Sequence, residues 1–192
     1  MILRYLVLFG GIVLMITGCN SLVSQNFGTH RLRTLDVTEA DAQAIGEADF
    51  IEVAGAVMAK VAVTTSKKDF WGNTTVCRPL LSPGQQQSLN AGTAIETQLV
   101  VCFKTEDPAC HEDPACLPYS GTRAIGLVGE PQDAEQLLAQ LAQHQIRLKS
   151  PVVFLQLGEK PMAWYWNLLI FVGGICLAFI PEAIRHNRKA SP

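Results

Sequence analysis

The chain has 192 residues, a formal net charge of −2 and a mean hydropathy of +0.21, and the apolar character that makes this value positive is concentrated at its two ends. Between Ser21 and Met162 stand eleven Lys and Arg against sixteen Asp and Glu, a net charge of −5, so nothing in this segment invites nucleic acid, whose phosphates require a basic patch. The segment between the apolar ends, roughly 140 residues, has the usual size of one compact domain.

Residues 1–23 open with Arg4 and then run apolar from Tyr5 to Val23. Within them, Ile16-Thr17-Gly18-Cys19 is an aliphatic residue and two small ones ahead of a cysteine, after a basic start and an apolar stretch. This tetrapeptide resembles the lipobox of bacterial lipoprotein signals, which implies acylation of Cys19 after cleavage and a bacterial envelope as the setting. The competing reading is a retained transmembrane helix. Phe9-Gly10-Gly11-Ile12 is echoed near the other end by Val172-Gly173-Gly174-Ile175, and in antiparallel helices both pairs would lie near mid-bilayer. Small residues let membrane helices approach closely, so Gly10, Gly11, Gly173 and Gly174 are expected to pack a helix hairpin.

Residues 24–49 read as a polar linker followed by a short helix, with the Thr38 hydroxyl at its start and an end near Gly46. Residues 50–161 form the expected outer domain. Its first strand pattern, "FIEVAGAVMAKVAVT" over 50–64, predicts one long or bent strand with a bulge at Gly55. A second strand follows over 74–81, closed by Ser82-Pro83-Gly84. Over 93–104 the alternation predicts a strand with Ile95, Leu99, Val101 and Phe103 on one face and Cys102 on the polar one. A strand over 123–128 leads to a helix predicted from Pro131 to about Gln145, whose stripe of Ala134, Leu137, Leu138, Leu141 and Ala142 would cover the sheet. A last strand is predicted over 151–157.

The second apolar segment, residues 162–184, is long enough to span a bilayer. Trp164, Tyr165 and Trp166 suit one interface, while Arg185, Arg188 and Lys189 in the tail 185–192 place the other end in the cytoplasm by the positive-inside rule. The expected architecture is therefore α+β: two transmembrane helices flanking an extracytoplasmic, mostly antiparallel sheet of about five strands with one main covering helix. The expected address is the inner (plasma) membrane, with the central domain periplasmic or extracellular.

Four cysteines, Cys77, Cys102, Cys110 and Cys116, fall in the outer domain, an even count in an oxidising compartment. Three pairings are possible; Cys77 with Cys102 across neighbouring strands and Cys110 with Cys116 within "EDPACHEDPAC" is the preferred one. The alternative places a metal or thiol-redox site at Cys110, His111 and Cys116, since thiolate and imidazole suit zinc or copper. No nucleophile with its base and no phosphate-cradling glycine loop is present in the sequence. The expectation is a non-catalytic accessory or interaction module without a cofactor, partnered by membrane lipid and other envelope or membrane proteins.

Overall fold

The structure, a computed structural model, describes residues 2–65, 69, 72–107, 122–144 and 146–190, with the backbone alone for residues 2–4 and 180–190. The chain divides into two compact units, one joining Met1–Arg31 to Pro161–Pro192 and the other spanning Leu32–Lys160.

The first unit holds two long helices, α1 (Ile2–Phe27) and α5 (Trp164–Ala190). Within α1, Tyr5–Phe27 is long and apolar enough to cross a membrane, a property a signal sequence at the same place would share. The apolar stretch described within α5 is shorter, Trp164–Phe179.

The second unit is α+β. Its elements in chain order are β1 (Arg33–Asp36), α2 (Ala42–Ile45), β2 (Phe50–Ala54), β3 (Val57–Met58), β4 (Val63–Thr64), β5 (Thr74–Leu81), α3 (Pro83–Asn90), β6 (Ile95–Thr105), β7 (Arg123–Val128), α4 (Ala134–Leu141) and β8 (Ile146–Leu157). The sheet has eight strands in the order β1-β2-β7-β8-β6-β5-β3, with β4 also paired to β5. The expected five strands become eight, and the sheet is mixed: β1 with β2 and β6 with β8 are parallel, the other pairs antiparallel.

Most of the extra strands come from the predicted strand over 50–64, which is three. Gly55, at φ 71°, breaks the run after Ala54, and β3 and β4 both pair with the outer edge of β5. The break also shapes the sheet. Residues 55 and 56 reach at most about 11 Å, whereas five strand spacings separating β2 from β3 in a flat sheet would be about 24 Å. The sheet must therefore curl until its two ends approach, and Ile51 and Val53 of β2 share a core with Val76 and Leu80 of β5. Leu99, Val101, Phe103, Val153 and Leu155 complete this inner face, with Ile45 of α2 against it.

The other face is covered as well. Ala134, Leu137 and Leu141 of α4 bury Cys77, Val100, Cys102 and Phe154. The polar parity expected for Cys102 is thus a second apolar face. The alternation of β6 also changes side: its register with β8 shifts between Thr97 and Leu99, so Ile95 packs with Ala59, Leu81 and Ile146 rather than with Leu99. Thr97 at the shift is held by its own hydroxyl, which donates to the Leu80 carbonyl at 2.9 Å and accepts from the Leu99 amide at 3.2 Å.

Three helix expectations are corrected. The short helix starts at Ala42 with Asp41 as its cap, its carboxylate accepting from the Ala44 amide at 2.7 Å, because the Thr38 hydroxyl is engaged by Asp36 instead. The covering helix begins at Ala134, three residues after Pro131, and passes at Ala142 into a 3-10 turn; Gln145 lies outside the described residues. A further helix, α3, begins within Ser82-Pro83-Gly84, expected as a turn, and continues to Asn90. Ser82 and Gln85 bond reciprocally across its first turn, with Pro83 at the position where a missing N–H costs nothing.

Candidate functional site

Two places concentrate the residues singled out by the sequence. In the sheet unit, β5 and β6 run antiparallel with Cys77 directly opposite Cys102, and a disulfide joins them. Both cysteines are buried beneath α4, so the bond is part of the packed layer between sheet and helix. Cys110, His111 and Cys116 lie outside the described residues. Among the described residues, no group of three or more His, Cys, Asp and Glu side chains is placed to hold a metal ion.

Close to this disulfide, a cleft of about 180 Å³ opens at the ends of β6 and β8. Phe103, Leu157 and Pro131 give it apolar walls; Asp69, Glu130, Asp133 and Glu159 give it carboxylates. Lys104 is paired to Glu159 at 3.0 Å, with both side chains nearly half exposed, so the pair contributes little to stability. Asp69 accepts from the Asn73 amide at 2.8 Å and from its side chain at 3.2 Å, which makes it a turn-forming residue. The loop carrying Glu130 to Asp133 is braced at Gly129, whose N–H reaches the Phe154 carbonyl and whose carbonyl accepts from Gln156 Nε2. The cleft is a hydrogen-bonding, acidic surface.

The helix unit is built around glycine. Gly11 and Gly174 meet: a Cβ on Gly11 would lie 2.8 Å from the Gly174 carbonyl oxygen, and one on Gly174 would lie 2.7 Å from that of Gly11. Gly10 and Gly173 have nothing within 4 Å of a Cβ. The expectation that both members of each pair pack is corrected by helix geometry, because successive residues point about 100° apart and only one can face the partner. The seam continues at Gly18, where a Cβ would come within 2.6 Å of the Phe171 amide nitrogen and 2.9 Å of the Asn167 carbonyl. Gly11, Gly18 and Gln25 lie at seven-residue intervals, as do Asn167 and Gly174. This heptad spacing keeps one stripe of a helix facing its neighbour; it is the signal that could have pointed to Gly18, Gln25 and Asn167 as packing residues, which the sequence reading missed.

Cys19, the lipidation candidate, is exposed and free, one residue from the buried Gly18, and α1 continues through it to Phe27. Cys176 is likewise free and exposed. Trp164, Tyr165 and Trp166 are all more than half exposed, with Tyr165 in ring contact with both neighbours.

Compared with protein-family models, curated proteins and solved structures, the chain matches none.

Proposed function

We propose that this chain is a membrane-anchored, non-catalytic interaction module, held by a retained pair of helices and presenting its α+β domain to other membrane or envelope proteins on the outer side of a plasma membrane. The observation that carries the reading is the glycine seam, in which segments from opposite ends of the chain pack as one unit while the intervening residues fold separately around a buried disulfide. At about 1.5 Å per residue, α1 and α5 are both longer than the hydrocarbon core of a bilayer. The exposed side chains of α1, among them Tyr5, Leu6, Phe9 and Ile16, and those of α5, among them Leu168, Leu169 and Phe179, suit lipid. The three consecutive aromatics suit the outer interface, and Arg185, Arg188 and Lys189 suit the cytoplasmic one. A disulfide fits an oxidising compartment.

The test is chemical crosslinking in intact membranes, followed by purification of the full chain and mass spectrometry. Discrete crosslinked protein companions and an unprocessed N-terminal segment are expected. Recovery of the chain alone at high yield would overturn the interaction role, and an N-terminus at an acylated Cys19 would overturn the retained helix pair.

A further inference from the structure

The outer end of the seam carries two amide side chains in a setting where apolar ones would pack without cost. Asn167, in the first turn of α5, is 3 % exposed, and its Nδ2 has no hydrogen-bond partner. Gln25, in the last turn of α1, donates from Nε2 to the Met162 carbonyl, while its Oε1 is buried without a donor. One residue thus presents an orphaned donor and the other an orphaned acceptor.

The register brings them toward each other. Gly11 lies against Gly174, Gly18 against the Asn167 and Phe171 backbone, and Gln25 reaches Met162. Moving along α1 from Gly18 to Gln25 therefore moves back along α5 from Asn167 toward Met162. Side chains tilt toward the N-terminus of their own helix, so in this antiparallel pair Asn167 leans toward the level of Gln25 and Gln25 leans toward the level of Asn167. Asn167 stands three residues inside α5, a rise of about 4.5 Å from Trp164, and Met162 lies two residues ahead of the helix start. Inside a helix pair, an unsatisfied amide is costly and a shared hydrogen bond removes both penalties together.

We infer that Gln25 and Asn167 act as one interhelical amide clamp, in which Asn167 Nδ2 and Gln25 Oε1, both unpartnered in the structure, turn toward each other so that the amide donates to the oxygen. The clamp joins the point where the chain leaves α1 to the point where it re-enters at α5, so it pins the two ends of the outer domain together. The inference rests on the retained helix pair proposed above. Without the clamp, the Gln25 to Met162 bond and the glycine contacts hold the seam, and Asn167 is a spacer.

The experiment is a double-mutant cycle on the full-length, disulfide-intact chain in detergent micelles. Its variants are Gln25→Leu, Asn167→Leu and the two combined, and it reads amide hydrogen exchange of residues 171–177. Each single variant is expected to speed exchange about threefold to thirtyfold, and the double variant no more than the faster single one. Effects that multiply would overturn the clamp. As a measurement that needs only one variant, the Asn167 side-chain amide protons should exchange faster in Gln25→Leu than in the wild type; unchanged rates would also overturn it. Intact mass, recorded first, separates this outcome from failure of the retained-helix reading, because a chain processed at Cys19 is lighter whatever the cycle shows.

Discussion

Asp36, at the end of β1, shows how a single side chain can engage a hydroxyl that the sequence assigns to a helix cap. Its Oδ1 accepts from the Thr38 hydroxyl at 2.7 Å and from the Thr38 amide at 3.0 Å. The hydroxyl first, and then the amide, hold this carboxyl below the ordinary carboxylate range, against a small opposing effect of desolvation. Because the folded pKa is depressed, the unfolded chain binds the proton more readily. The contribution to stability is complete above the ordinary carboxylate pKa and is lost as pH falls through the lower folded value. Replacing Thr38→Val should move the Asp36 pKa upward, toward but not fully to the ordinary range, since the backbone N–H remains. An NMR titration of the carboxyl carbon checks this, and an unchanged midpoint would refute it. Thr38, Asp36 and Asp41 are all competent caps by residue type, so which carboxylate caps α2 and which binds a threonine depends on where β1 ends.

At the scale of elements, β5 and β7 were legible over the residues they occupy, and the hydrophobic stripe of α4 was legible because Ala134, Leu137 and Leu141 repeat at helical spacing. β6 was legible as a strand but not in its burial, since the Thr97 shift reverses its alternation and α4 covers the face that reads as polar. For α3 the signal was present in Ser82-Pro83-Gly84-Gln85, a capping box with proline, but the same residues also write a turn. The parallel pairing of β6 with β8 has no local signal at all, because it is made by residues far apart in the chain. The Cys77 to Cys102 bond joins two central strands across a separation of 25 residues, so its removal should relax the unfolded chain more than it disturbs the folded one. The double replacement Cys77→Ala and Cys102→Ala is expected to cost about 3 kcal/mol in urea unfolding of the full chain followed by circular dichroism. A loss under about 1 kcal/mol would show that the bond adds little constraint beyond the packing under α4.

For the whole molecule, the decisive position is Gly18, because it belongs to both readings of the N-terminal segment. As part of Ile16-Thr17-Gly18-Cys19 it is a small residue ahead of a cysteine; as part of α1 it is buried against Phe171 and Asn167. The hydropathy of the two ends was legible, but consecutive glycines cannot reveal which member faces a partner, and Gly18 was read only in its motif. The two roles tolerate different substitutions. Gly18→Ala keeps a small residue before Cys19, so a processed chain would mature unchanged and carry no trace of it. In the packed pair the added Cβ would meet the Phe171 backbone nitrogen at 2.6 Å, and backbone cannot move aside, so the helices must part at a cost of roughly 1–3 kcal/mol. Cys19→Ser has the opposite character: it removes the thiol that the lipobox reading would acylate, yet it alters an exposed position outside the seam. Retained helices therefore predict faster amide exchange along residues 171–177 in Gly18→Ala and, in Cys19→Ser, a chain whose mass differs from wild type by the substitution alone. The reverse pattern, a silent Gly18→Ala with a Cys19→Ser chain that gains its first eighteen residues, would assign the segment to a cleaved signal and leave Gly174 without its partner.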